Sequence, residues 1–172
     1  GVRMLAQGFG VHRSFVCALI LIGGMHSAAR AQDVAFEFVQ GIGGTLEENA
    51  SGVALDGAGN IYLSGFFEGT TDFDPGAGSV TRTSAGMYDG FVAKYDSAGA
   101  LQWVHSFGST NVDYCFGLKS DTDGNVYVTG TFLGTVDFDP GAGDATHTSA
   151  GEDDGFAMKF APNGALLWVR VF

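Results

Sequence analysis

The sequence predicts an all-β chain built from repeated four-stranded antiparallel sheets, and three observations carry that prediction. Glycine supplies 28 of 172 residues against 3 prolines. With no Gly-X-Y period this excludes collagen and points to tight turns between short strands. Hydrophobic residues make up 45% and charged residues 16%, which fits a folded domain rather than a disordered chain or a coiled coil. The sequence also matches itself at an offset of about 65 residues without a gap, which is the mark of a repeat architecture. Residues 52–107 lie over 117–172, and about 31 of those 56 pairs are identical.

The most telling block is Gly69-Thr70-Thr71-Asp72-Phe73-Asp74-Pro75-Gly76-Ala77-Gly78, which returns as Gly134-Thr135-Val136-Asp137-Phe138-Asp139-Pro140-Gly141-Ala142-Gly143. Thr83-Ser84-Ala85-Gly86 returns as Thr148-Ser149-Ala150-Gly151. The match runs backwards too, with Phe36 to Gly41 over Leu101 to Ser106 and Phe38 at the Trp103 position. The expected organisation is therefore an amino-terminal segment 1–31, a partial unit 32–50, a repeat 51–115 and a repeat 116–172.

Within a unit, four strands follow from alternation, β-branched and aromatic content, and glycine punctuation. Strand one is Ser51 to Leu55. The turn Asp56-Gly57-Ala58-Gly59-Asn60 leads to strand two, Ile61 to Phe67. A loop of about 20 residues carries the Asp-Phe-Asp-Pro-Gly block. Strand three is Gly90 to Tyr95, and Asp96-Ser97-Ala98-Gly99 turns it into strand four, Ala100 to His105. Ile61-Tyr62-Leu63 and Phe91-Val92-Ala93 are apolar on both faces, as expected of a sheet covered on both sides. Four strands per repeat, with each sheet packed between neighbours, is the blade of a β-propeller.

Residues 1–31 read as an export signal. Arg3 and Arg13 precede the apolar run Phe15 to Ile22, and Ala29-Arg30-Ala31 offers a small-residue exit, so cleavage is expected after Ala31. The run is shorter than a membrane span, which needs about 20 residues. The bland alternative is a buried amino-terminal helix. Because the sequence opens on Gly1 and its first initiator candidate is Met4, it is expected to be part of a longer reading frame. The expected location is secreted, extracellular or at the cell surface.

The 19 acidic residues against 8 basic ones give a formal charge of −11. Arg3, Arg13 and Arg30 all fall in the leader, so the body is more acidic still. Such a body repels phosphate backbones and anionic head groups, which argues against nucleic-acid binding or membrane insertion. After cleavage Cys115 is the sole cysteine, so no internal disulfide is expected, and a lone thiol is commonly a buried small hydrophobe.

Asp121-Thr122-Asp123-Gly124-Asn125-Val126-Tyr127-Val128-Thr129-Gly130, then Asp154-Gly155-Phe156-Ala157-Met158-Lys159-Phe160 and Gly164-Ala165-Leu166-Leu167-Trp168, resemble the SBBP (seven-bladed β-propeller repeat) family of bacteria. The resemblance covers nearly all of residues 36–172. It implies a propeller fold, secretion or surface display and membership of large multidomain proteins, with no shared catalytic activity. A closed ring needs about 4–8 blades. Two units and a terminal strand imply either further blades of the same longer chain or self-association.

Asp72, Asp74, Asp137 and Asp139 are the candidate metal ligands. An Asp-Phe-Asp segment puts two carboxylates on one side and Phe on the other, and such acids with glycine-loop carbonyls could share Ca²⁺. The alternative is structural: the second Asp supports the Pro-Gly turn and the Phe anchors the loop. Asp121-Thr122-Asp123-Gly124-Asn125 looks like the start of a calcium loop. Its counterpart at 56–60 keeps only Asp, Gly and Asn, which is hairpin-turn chemistry. Asp89 and Asp154 recur and are expected to hold a loop, with Glu152 and Asp153 as a solvated tip. Trp103, Trp168, Phe67 and Phe132 recur and read as blade packing rather than a sugar platform.

Near-identical units supply the same groups twice in equivalent settings, whereas catalysis needs groups with different tasks. The unmatched reactive types, Arg82, His105, Cys115, Lys119, His147 and Arg170, are scattered, with no zinc spacing, Ser-His-Asp order or phosphate loop. The expected function is therefore a non-catalytic extracellular scaffold or binding segment with a protein or glycan partner. The alternative is part of a propeller hydrolase or lyase whose site needs blades absent here.

Overall fold

The computed structural model describes residues 16–19 and 39–172, and these are all strand, turn and loop. The strands are β1 Val16–Leu19, β2 Val39–Gly44, β3 Glu48–Leu55, β4 Ile61–Phe67, β5 Thr70–Asp72, β6 Thr81–Thr83 and β7 Asp89–Tyr95. They continue with β8 Leu101–Phe107, β9 Tyr114–Ser120, β10 Val126–Phe132, β11 Thr135–Asp137, β12 Thr146–Thr148, β13 Asp154–Phe160 and β14 Leu166–Val171. Two four-stranded antiparallel sheets, β3-β4-β7-β8 and β9-β10-β13-β14, are the two repeats. Among the described residues no helix is long and apolar enough to cross a membrane.

The turns follow from their residues. Between β3 and β4, Gly59 N donates to the Asp56 carbonyl at 3.0 Å and Gly59 takes φ 81°; Gly124 repeats this at 3.1 Å and 78°. A type I turn closed by a left-handed residue makes a tight hairpin, and that position favours glycine. Asp56 Oδ1 accepts from Ala58 N and Asn60 N, and Asp121 Oδ1 accepts from Asp123 N and Asn125 N. The aspartates that resembled a calcium loop therefore hold hairpins together. Each inner strand carries an irregularity, opposite Gly65 in one unit and Gly130 in the other. A Cβ on either glycine would collide with a carbonyl oxygen, of Asn49 or of Tyr114, so both repeats keep glycine there.

The two sheets meet as neighbouring blades. Their innermost strands, β3 and β9, lie side by side: Ser51 Oγ donates to the Cys115 carbonyl, and Ser120 Oγ to the Leu55 carbonyl at 2.6 Å. Leu55 and Ser120 are equivalent positions of the repeat, while Ser51 and Cys115 fall one residue out of that register.

Neither sheet makes a core by itself. One apolar cluster combines Tyr62, Val92 and Phe107 of the first sheet with Val126, Val128, Phe132, Phe138, Phe156, Met158 and Phe160 of the second. The other side of the first sheet puts Ile61, Leu63, Phe67, Phe91 and Tyr95 against Ile42 of β2. At the repeat offset Ile42 corresponds to Phe107.

One expectation needs amendment. The loop of about 20 residues is largely a hairpin, β5 with β6 and again β11 with β12. Its arms are only three residues long, too short for alternation to register, and Thr70–Thr83 and Thr135–Thr148 hydroxyl pairs at 2.8 and 2.9 Å close them. Within the expected export signal, Val16–Leu19 forms a strand antiparallel to Val39–Ile42. The flanks of that signal, its basic residues and its Ala31 exit lie outside the described residues.

Phe138 is 1% exposed and touches Phe107, Phe132 and Phe156, with ring centroids 5.0–5.4 Å away. Phe138→Ala should cost about 3–5 kcal/mol in urea denaturation. Tyr127→Ala, on the uncovered face of the same sheet, should cost less than about 1 kcal/mol.

Candidate interaction surface

The long hairpins leave the blades at the end where β4 and β10 finish and β3, β7, β9 and β13 begin. Each is pinned at its base by the aromatic of the Asp-Phe-Asp segment, since Phe73 and Phe138 are fully buried. The flanking carboxylates turn the other way and serve the loop. Asp72 Oδ1 accepts from Asp74 N at 3.0 Å and Val80 N at 2.9 Å, and Asp74 Oδ1 accepts from Gly76 N at 2.8 Å. Asp137 and Asp139 repeat this with Asp139 N, Ala145 N and Gly141 N at 3.0, 3.0 and 2.7 Å. Burial works to raise the Asp72 carboxyl, yet the amides of Asp74 and Val80 and the Ser79 hydroxyl outweigh it and bring it below its usual range. A Cβ on Gly78 or Gly143 would strike the Asp74 or Asp139 carboxylate, so the glycines make room for the acids. Among the described residues no group of three or more His, Cys, Asp or Glu side chains is placed to hold a metal.

A second set of acids holds the same rim from inside. Asp89 Oδ2 accepts from Ala85 N at 3.0 Å, and Asp154 does the same for Ala150 N at 2.9 Å, as expected of loop-holding residues. Asp113 is 0% exposed and accepts from Ser109 N at 2.7 Å and Leu133 N at 3.1 Å, tying the link between blades to the end of β10. Its counterpart Glu48 is also buried and accepts from Thr71 Oγ1 at 3.0 Å. Carrying the 65-residue offset back past Gly52 to the Glu48–Asp113 pair is the signal that finds this position. Burial raises the carboxyls of Glu48 and Asp113, and burial with the nearby Asp113 charge pushes Asp89 up to about 6.

The surface feature that no motif announces is aromatic. Phe66, Tyr88, Tyr114 and Phe116 form a continuous group: Phe66 lies 5.3 Å from Tyr88 and 4.8 Å from Tyr114, and Tyr114 lies 5.8 Å from both Tyr88 and Phe116. Phe116 is 54% exposed, and Met87, which precedes Tyr88 in the chain, is 59% exposed. The counterparts at the repeat offset are Thr131, Asp153, Asn49 and Ser51. All four aromatics are therefore departures from the repeat, drawn to one place from both units. Acids surround them: Tyr88 Oη donates to Glu47 Oε2 at 3.0 Å, Glu68 adds to the field at Tyr88, and Asp153 acts on Tyr114.

The scattered reactive residues have other tasks. His105 packs against both Trp103 and Phe160, at 5.0 and 5.5 Å, and burial lowers its basicity. Cys115 is buried and its thiol is pushed well above its usual range by that burial. Arg82 donates to the Val104 carbonyl and Arg170 to the Val169 carbonyl, both at 2.8 Å. His147 packs 6.1 Å from the Phe138 ring. Trp103 meets Phe160 across the blade boundary, as expected of a packing residue, while Phe67 and Phe132 pack within their own blades against Phe73 and Phe138.

No protein-family model matches the sequence. The chain is 26% identical over 162 residues to the uncharacterized WD repeat-containing protein L264 of Acanthamoeba polyphaga mimivirus. The match takes in 81% of this chain and 12% of that protein's length. This similarity and the two four-stranded sheets together fit a repeat of β-propeller type.

The buried Asp89 makes stability depend on pH. It holds its proton in the folded state up to about pH 6, against an ordinary value of 3.8, so its stabilisation is complete below about pH 4 and is lost as pH rises through 6. Melting temperatures of the native chain and Asp89→Asn should diverge across that interval, with the variant losing part of the decline toward neutral pH. Parallel curves would assign the decline to other groups.

Proposed function

We propose that this chain is a non-catalytic propeller segment of the SBBP kind, exported from the cell, whose long-hairpin rim binds a protein partner through basic side chains. The observation that carries the reading is the convergence of Phe66, Tyr88, Tyr114 and Phe116, which the repeat does not require, with Glu47 bound to the Tyr88 hydroxyl and Glu68 and Asp153 adding negative charge nearby. Packing accounts for what two copies share, so a surface cluster made only of differences answers to something outside the fold. The exposed Phe116 and the half-buried rings beside it, with carboxylates nearby, suit Lys and Arg side chains, which gain from the ring quadrupole and from the acids together. A net charge of −11 adds long-range attraction for a basic partner. The reading without catalysis is supported by the burial of Cys115 and the aromatic packing of His105. In this reading the Asp-Phe-Asp acids act as loop ties.

A ten-residue oligolysine peptide and a neutral oligosaccharide of similar length distinguish the partner classes. The chain should bind the peptide in a salt-sensitive manner, and Tyr88→Ala with Phe116→Ala should weaken binding by about tenfold or more, equivalent to about 1.4 kcal/mol. Preference for the oligosaccharide would make the partner a glycan. Equal peptide binding by the variant would remove the rim from the account. Export with cleavage after Ala31 would make Gln32 the first residue of the secreted chain on amino-terminal sequencing.

A further inference from the structure

The first unit carries, at Glu47-Glu48-Asn49-Ala50-Ser51, the acceptor pattern for N-linked glycosylation: asparagine, any residue but proline, then serine or threonine. Glu47 adds an acid two positions before the asparagine, which makes this the extended pattern that bacterial oligosaccharyltransferases select. Asn60, Asn111, Asn125 and Asn163 are the other asparagines, and none has Ser or Thr at its second following position. At the repeat offset Glu47, Asn49 and Ser51 fall on Val112, Tyr114 and Phe116, so the second unit lacks the pattern.

The fold gives tasks to the other asparagines. Asn60 Nδ2 and Asn125 Nδ2 donate to the aspartates of their own turns at 2.7 and 2.8 Å, Asn111 Nδ2 donates to the Leu133 carbonyl at 3.2 Å, and Asn163 Oδ1 accepts from Ala165 N at 3.1 Å. Asn49 stands exposed, and among the described residues none bonds its side chain. The strand also sorts the five residues. Glu47 lies just before β3, and its carbonyl accepts from Glu68 N at 2.8 Å, so the strand's alternation reaches it. Glu48 and Ala50 turn inward, each 7% exposed, whereas Glu47 and Asn49 are exposed and Ser51 is half-buried. The residues that a transferase reads thus lie outward, and the two spacers are buried. Ser51 is also the residue skipped where pairing with β4 passes from Ala50–Gly65 to Gly52–Ser64, so the strand bends beside the acceptor.

We infer that Asn49 is an N-glycosylation site, receiving an oligosaccharide from a polyprenyl-diphosphate carrier as the chain is exported. In that step the Asn49 side-chain nitrogen bonds to the anomeric carbon of the first sugar while the bond from that carbon to the diphosphate oxygen breaks. The amide gives up one proton, which balances the negative charge gained by the released polyprenyl diphosphate. Timing follows from the neighbours of the acceptor. In the folded chain the Ser51 hydroxyl donates to the Cys115 carbonyl and Glu47 Oε2 accepts from the Tyr88 hydroxyl at 3.0 Å, so both recognition side chains are occupied. Cys115 lies 64 residues beyond Ser51, in the second unit. The acceptor is therefore open while the chain emerges and closes once the second blade packs, with the exposed Asn49 holding the sugar outside the fold. The inference rests on the export proposed for the chain and is independent of the basic partner assigned to the rim.

The test expresses the full chain in two forms, with its own leader alone and behind an established export leader. The host is a bacterium that carries an oligosaccharyltransferase and its lipid-linked oligosaccharide, and occupancy is read by peptide mass spectrometry. Behind the established leader the chain should gain the mass of one oligosaccharide on Asn49. Asn49→Gln should abolish that gain, Glu47→Gln should lower it severalfold, and Ser51→Thr should keep it. Because Asn49 is exposed, Asn49→Gln should leave the melting temperature nearly unchanged, which separates loss of the acceptor from loss of the fold. An unmodified Asn49 in a chain that reaches the periplasm, beside a control acceptor that is glycosylated in the same cells, overturns the inference. Modification that persists in Asn49→Gln overturns it as well. Should the form with its own leader stay inside the cell unmodified while the other is glycosylated, the export reading fails and the acceptor assignment stands.

Discussion

The contact between the two sheets is what the remaining structure depends on. A four-stranded sheet with apolar residues on both faces has no interior of its own, and here Tyr62, Val92 and Phe107 reach across to Val126, Phe156, Met158 and Phe160 to make one. Every other device serves that contact. Glycines at 65 and 130 let the inner strands bend, the Asp-bearing turns present their carbonyls, and Phe73 and Phe138 fold the long hairpins down over the ends of the sheets. Because the hydrophobic effect is without direction, the bonds from Tyr62, Lys94 and Trp103 to the Gly124 and Pro162 carbonyls supply the register that apolar packing alone leaves loose.

The differences between the repeats are as informative as the identities. Residues bound by blade packing recur: the Asp-Phe-Asp block, the loop-holding Asp89 and Asp154, and the tryptophans of β8 and β14. At the rim, where nothing in the fold demands a particular side chain, the copies diverge, and the divergent residues gather into an aromatic and acidic surface. Of these aromatics Tyr88 lies in a connection, while Phe66 stands at the end of β4 and Tyr114 and Phe116 at the start of β9, so the rim ends of strands share in that surface.

Buried acids set a cost against this arrangement. Glu48, Asp89 and Asp113 are held above their ordinary range because their surroundings are dry. Each nonetheless accepts hydrogen bonds that fix a loop or link at the rim, and an apolar side chain could not take their place without stranding backbone amides. They trade global stability near neutral pH for a rim held in one shape.

Much of the fold was legible in the residues because the repeat states it twice. Strand β4 falls where alternation and the flanking Asn60 put it, the Asp56 and Asp121 turns form as their shared residues indicate, and Phe73 and Phe138 point inward as the Asp-Phe-Asp alternation requires. The hairpins β5–β6 and β11–β12 escaped, since three-residue arms carry no period. Glu48 and Asp113 escaped because the two acids differ in type and stand before the segment of strongest identity. What the sequence alone determined, then, was the unit: its strands, its turns and its need for neighbours, all properties of local backbone preference and side-chain polarity. Only the tertiary structure decided which surfaces are covered, because Tyr62 and Tyr127 are the same residue in the same local setting and differ solely in whether a blade lies against them. It alone also brought Phe66, Tyr88, Tyr114 and Phe116 together, since proximity across fifty residues is a consequence of packing and leaves no mark on the chain's order.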